Sequence, residues 1–101
     1  MEFKKLLEFG WDKENTTKNK KHNVENSEAE EVFFDENKVR FRDILHSGIE
    51  ERFRILGKTR KGRLLFVVFT KREHKIRIIS ARDINKKEVY LYEKKVNSSK
   101  I

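Results

Sequence analysis

The sequence predicts an α+β domain, a single antiparallel sheet of about four strands with helices before it and one helix after it. Three observations carry this reading. Leu64 to Phe69 is apolar at every position and rich in β-branched and aromatic residues, as a strand buried on both faces requires. Val39 to Arg42 and Glu51 to Lys58 alternate with the period of two that marks half-buried strands. Two stretches, beginning at Ser27 and at Asn85, place Glu three residues after a capping residue and follow it with apolar residues at helical spacing.

Taken in order, Met1 to Phe9 scatters Phe3, Leu6, Leu7 and Phe9 among Lys and Glu, which fits one helical turn or a short edge strand leading into Gly10. Trp11 is the only tryptophan, and Asp12 is a good N-cap for a helix over Lys13 to Lys21. That stretch holds no apolar residue, so such a helix depends on its ends or on a partner. Ser27 and Glu30 have capping-box spacing, and Ala29, Val32 and Phe33 share a helical face, which predicts a short helix from Glu28 to about Phe34. Asp35 to Asn37 turns the chain into the strand at Val39. Asp43 to Gly48 reads as a loop. In the next strand Glu51, Phe53 and Ile55 fall on one face, and Arg52, Arg54, Leu56 and Lys58 on the other. Thr59 to Gly62 closes a hairpin into the central strand, whose apolar run is too short for a buried helix to be the better reading. Lys71 to Lys75 is a polar turn. Strict alternation then puts Ile76, Ile78 and Ser80 on one face and Arg77, Ile79 and Ala81 on the other. Asn85 and Glu88 open a terminal helix whose face is Val89, Tyr92 and Val96, and residues 97–101 are a polar tail expected to fray.

The chain has 101 residues, 36% hydrophobic and 42% charged, which supports one small core; residues 1–96 are expected to form a single domain. Its net charge is +8, with arginines placed inside strands, so polyanions or an acidic protein are the natural partners. There is no cysteine, which excludes disulfides and thiolate chemistry and suits a cytoplasmic setting. The longest uninterrupted apolar run is Leu64 to Phe69, far short of a membrane span, and no leader is expected. His22, His46 and His74 lack metal-ligand spacing, so neither a metal nor another cofactor is expected.

Together the motifs resemble the BrnT toxins, small ribonucleases of type II toxin-antitoxin systems with a RelE-like fold. The matching residues are Phe9, Trp11 and Asp12; Lys21, His22 and Val24; and Ala29, Val32, Phe33 and Asp35. They continue with His46, Ser47, Glu50, Glu51 and Arg52, then Gly57, GRLLFVVFT from Gly62, RIISAR from Arg77, and Glu88 and Tyr92. The chain departs from the family where Asn23 stands for a usual Gly, Asn26 for Phe and Asn85 for Thr, and the family lysine falls on either Lys20 or Lys21. The resemblance implies an mRNA-cleaving toxin silenced by a BrnA-type antitoxin with a ribbon-helix-helix fold. Promoter DNA would be bound only through the complex with that antitoxin, and no membrane is involved.

Cleaving RNA without a metal requires the ribose 2′-hydroxyl to attack the adjacent phosphorus. That takes a proton acceptor, cations on the phosphate and a donor to the leaving 5′-oxygen. Arginine suits the second task because its planar fork grips two oxygens and stays charged. Arg52, Arg77 and Arg82 are the candidates, with Ser80 as a further phosphate contact; a solvated face or a salt bridge to Glu50 or Glu51 is the structural alternative for each arginine. Glu51 serves either as a base raised by partial burial or as a partner orienting an arginine. Lys20 is read as a phosphate contact, Lys21 as a candidate for proton transfer, and His46 as the best-placed histidine. Trp11 either stacks on a base or plugs the core. The rival functions are a non-catalytic RNA- or DNA-binding module, which would bind without cutting, and a scaffold for an acidic partner.

Overall fold

The computed structural model describes residues 8–11, 22–43, 51–72 and 74–99. Five strands form one mixed sheet: β1 (Glu8–Gly10), β2 (Val39–Asp43), β3 (Arg52–Lys58), β4 (Leu64–Arg72) and β5 (Lys75–Asp83), in the order β1-β5-β4-β3-β2. Helix α1 (Asn26–Glu31) runs into a 3-10 turn at Val32–Phe34, and α2 (Lys86–Ser99) ends the fold. The fold class is the predicted α+β. The sheet has five strands rather than four and is not purely antiparallel, because β1 pairs in parallel with β5 (Glu8↔Lys75, Phe9↔Ile76, Gly10↔Arg77). A three-residue strand is too short to show a period, and its parallel pairing follows from the long crossover that separates it from β5. The helix expected over Lys13 to Lys21 lies outside the described residues.

β4 is the middle strand, with the core on both of its sides. On one side Leu65, Val67 and Phe69 meet Ile55 of β3, Ile76, Ile78 and Ala81 of β5, and Val24, Ala29, Val32 and Phe33 of the helical layer. Phe33 anchors that layer by edge contacts with Phe69 at 4.9 Å and Phe9 at 5.2 Å between ring centroids. On the other side Phe66 and Leu56 pack under Tyr92 of α2, fringed by Val39, Phe41, Leu64, Val68 and Ile84. Burial on both faces is what the unbroken apolar run demands.

The ends of the helices fix their angles. Asn85 caps α2 reciprocally: its Oδ1 accepts the Glu88 N–H and its own N–H donates to Glu88 Oε1, both at 2.9 Å, as the sequence predicts. The helix continues through Ser99, into the tail expected to fray. α1 starts earlier than predicted, with Glu25 as N-cap and its N–H donating to Glu28 Oε1 at 3.0 Å. Glu30 does not serve the predicted box because its carboxylate accepts the Trp11 indole N–H at 2.7 Å. Asp35 then ties three elements together, accepting from Tyr92 Oη at 2.7 Å, the Lys58 N–H at 2.8 Å and the Asn37 N–H at 3.0 Å. Burial first, and Asp35 second, raise the Tyr92 hydroxyl above its usual range. Gly57 is required by close approach: a Cβ there would lie 2.5 Å from Val32 Cγ1 and 3.0 Å from Val32 O.

Arg63 joins the entry of β4 to what surrounds it. Its Nε and Nη2 donate to the two Asp83 carboxylate oxygens at 2.7 and 3.2 Å, and Nη1 reaches Asn23 O at 2.6 Å and Glu28 Oε1 at 3.2 Å. Nη2 also donates to His22 O at 3.2 Å. The carbonyls it collects belong to a left-handed turn, with Asn23 at φ 56°. Asn and Gly are the residues that enter this region most readily, which accounts for Asn in place of the family's Gly.

Candidate functional site

The site is built by an irregularity in β5. Phe69 pairs with Ile78 and Val68 with Ser80, so Ile79 is an extra residue with no partner of its own, a β-bulge. The bulge overturns the face assignment expected from strict alternation. Ile76, Ile78 and Ala81 enter the core at 6, 0 and 0% exposure, whereas Arg77, Ser80 and Arg82 all turn to the opposite face. With Ile79 counted as an ordinary strand residue, Ser80 and Arg82 would be assigned to the same side as Ile76 and Ile78.

That opposite face is the one α2 covers only in part. Tyr92 sits over the row Leu56, Phe66, Arg82, and two further rows lie beside the helix: Arg54, Val68, Ser80 and then Arg52, Thr70, Arg77. Neighbouring strands are about 4.8 Å apart, so the side chains within each row are in reach of one another. Arg52, Arg77, Arg82 and Ser80, all named from the sequence, thus come together on one surface. Arg54 joins them and was missed, although the alternation that put Arg52 on this face puts Arg54 there too. Its guanidinium lies over the rings of Phe41 at 5.7 Å and Phe66 at 5.8 Å, which steadies a cation on an apolar floor. Thr70 is 2% exposed and its Oγ1 has no hydrogen-bond partner.

Arg82 is held from two sides by described groups. It stacks on Phe66 at 4.1 Å and grips Glu88 through two hydrogen bonds of 2.9 and 2.8 Å. Its acidic partner is therefore Glu88, not Glu50 or Glu51. Burial pushes the Glu88 carboxyl up, but the hydrogen bonds from Arg82 and the Asn85 backbone, with the charges of Arg82 and Arg54, outweigh it and hold Glu88 below its ordinary value. The chain's own carboxylate thus fills the N-terminus of α2.

Of the remaining candidates, Glu51 and Trp11 do not join this surface. Glu51 pairs with Arg42 at 3.0 Å, both side chains more than half exposed. Arg42 pairs in register with Phe53, which belongs to the helical side, so Glu51 lies behind the arginine face and lacks the partial burial that would make it a base. Trp11 packs against the helical-side core with its N–H on Glu30, the plug rather than the stacking surface. His74 is exposed in the β4–β5 turn. Lys20, Lys21 and His46 lie outside the described residues. Asp43 and Arg52, which flank His46 in sequence, are paired neighbours at the end of the Arg52, Thr70, Arg77 row.

Among the described residues no three His, Asp or Glu side chains are placed to share a metal ion. No described helix is long and apolar enough to cross a membrane. A family model described as "Ribonuclease toxin, BrnT, of type II toxin-antitoxin system" matches residues 11–88. No curated protein matches the chain.

Proposed function

The chain belongs to the BrnT family of ribonuclease toxins from type II toxin-antitoxin systems, and from that premise we propose that it is a cytoplasmic, metal-independent endoribonuclease that cuts mRNA on the arginine face of its sheet. The observation that carries this reading is the bulge at Ile79, which gathers Arg77, Ser80 and Arg82 on the side where Arg52 and Arg54 already stand.

Arg52 and Arg77 grip the scissile phosphate and stabilise it as negative charge builds in the transition state. Ser80 and Arg54 hold the neighbouring backbone, and Arg82 sets the border of the site with Glu88. Proton transfer falls to His46, which lies in sequence between Asp43 and Arg52. Lys21 is the second candidate. Its neighbour His22 is bound by Arg63 at the other end of β4, nearer to Arg82 than to Arg77. Glu51 acts from behind, holding Arg42 and the start of β3, and Lys20 is an outlying phosphate contact.

The family implies an antitoxin. We take it to be a BrnA-type, ribbon-helix-helix protein whose complex with this chain also binds promoter DNA. Purified chain, freed of any partner, is incubated with RNA beside Arg52→Ala and Arg77→Ala. Cleavage by the parent and its loss in both variants support the reading. Intact RNA with the parent ends the enzyme reading, and cleavage that survives both substitutions removes the site from this face.

A further inference from the structure

The rotation of α2 is fixed by two of its side chains. Tyr92 donates to Asp35 and Glu88 grips Arg82, while the Asn85 cap sets where the helix begins. The face turned away from Tyr92 is therefore held in one orientation. It carries Lys87, Tyr90, Leu91 and Lys94 at positions i, i+3, i+4 and i+7, which form one stripe on a helix, and all four are exposed. Tyr90 is 65% exposed and Leu91 46%, and these are the large apolar side chains left to solvent among the described residues. Helix formation does not favour tyrosine at an exposed position, where lysine or glutamate serves better.

The composition of the stripe selects its occupant. A stable protein interface buries about 800 Å² on each partner and is depleted in lysine, and two apolar side chains set among lysines fall short of such a core. Single-stranded RNA asks for the arrangement present here, an aromatic ring on which a base can stack and cations beside it for the backbone. Lys87 and Lys94 stand two helical turns apart, about 10 Å, with Tyr90 and Leu91 between them. The stripe also continues the arginine face. Lys87 directly precedes Glu88, which holds Arg82 at the border of that face, so a strand that leaves the arginines past Arg82 meets the lysines and Tyr90 next.

We infer that Lys87, Tyr90, Leu91 and Lys94 form a second contact for single-stranded RNA, where a base outside the scissile step stacks on Tyr90 and the backbone on either side of it lies on the two lysines. Leu91 supplies the apolar floor beside the ring. The inference rests on the ribonuclease reading for the identity of the strand; the stripe itself rests on the helix.

The test is affinity for strands of two lengths. Fluorescence anisotropy measures the binding of 2′-O-methyl oligoribonucleotides of about four and about twelve nucleotides, which lack the attacking hydroxyl, to the parent, Tyr90→Ala, Tyr90→Phe and a variant carrying both Lys87→Gln and Lys94→Gln. Tyr90→Ala is expected to bind the longer strand about tenfold more weakly and the shorter one as the parent does, with Tyr90→Phe within about twofold of the parent on both. The double lysine variant is expected to lower the salt slope of long-strand binding by about 1–2. Melting temperatures stay at the parent value, because the replaced side chains are exposed. Equal long-strand binding by the parent and Tyr90→Ala overturns the inference, and so does a loss that is the same for both strands. Unchanged RNA binding by Tyr90→Ala together with a weakened antitoxin complex overturns it in favour of an acidic protein on this face. If Arg77→Ala binds both strands as the parent does while Tyr90→Ala loses the longer one, the arginine-face reading fails and the stripe stands; the reverse result removes the stripe alone.

Discussion

Arg63 meets Asp83 as a two-pronged pair, Nε to Oδ1 at 2.7 Å and Nη2 to Oδ2 at 3.2 Å, across the ends of β4 and β5. An ion pair with Asp83 65% exposed is worth about 0.2–1 kcal/mol by itself. The same guanidinium also holds the His22 and Asn23 carbonyls and Glu28, so its fork matters more than its charge. Arg63→Lys is expected to lose about 1–2 kcal/mol, read as a lower urea midpoint with an unchanged slope. A midpoint equal to the parent's would show that a point charge suffices there.

Acid should weaken the fold through two carboxylates. Asp83 is held below its ordinary value by the Arg63 hydrogen bond, which together with the Arg63 charge outweighs burial, and Glu88 is lowered as described. A group whose pKa is depressed on folding contributes stability that is present above its unfolded pKa, about 4, and is lost as pH falls through the folded value. The melting temperature should therefore fall from pH 5 downward. Glu88→Gln should be less stable at pH 7 and show a shallower fall. A Glu88→Gln profile parallel to the parent's would remove Glu88 from this linkage.

Arg77 and Arg82 should separate activity from stability. Arg77→Ala is expected to lower RNA cleavage by about a hundredfold or more, with a melting temperature within a few degrees of the parent's. Arg82→Ala strips the partner from a Glu88 side chain only 12% exposed and should cost about 1–2 kcal/mol as well as activity. Thermal melts and single-turnover cleavage on the same samples make the comparison. Equal stability losses in both variants would contradict the assignment of Glu88 to Arg82.

Asn23 tests the turn that precedes α1. At φ 56° a glycine fits without strain and a β-branched residue does not. Asn23→Gly is expected to change stability by less than about 0.5 kcal/mol, and Asn23→Val to cost about 1–2 kcal/mol by denaturant titration. A harmless valine would mean that the turn relaxes to another conformation.

Much of this architecture is legible in the residues themselves. Leu64 to Phe69 announces a doubly buried strand because nothing polar interrupts it, and Asn85 with Glu88 announces a helix start because both partners of the reciprocal cap are local. α1 starts two residues earlier than the local pattern predicts, since whether Glu28 or Glu30 turns back depends on Trp11 taking Glu30, a contact between residues 19 apart. β1 is set by pairing with a strand more than sixty residues away, and three residues carry no period of their own. The arginines could be named from the sequence as candidates, but their convergence could not. Alternation assigns Arg77 and Arg82 to opposite faces, and only the partner strand reveals that Ile79 is not counted.

The bulge also makes the site's composition separable from its shape. Since Ile79 has no partner in the ladder, a chain lacking that one residue would still send Ile76, Ile78 and Ala81 inward and Arg77, Ser80 and Arg82 outward, now along an evenly paired strand. What it would lose is the local bend and extra twist that a bulge gives a strand. Every cation would remain in place along the surface while the angle between Arg77 and Arg82 changed. The single-residue deletion thus isolates curvature as a variable, a control that no side-chain replacement in this face can provide.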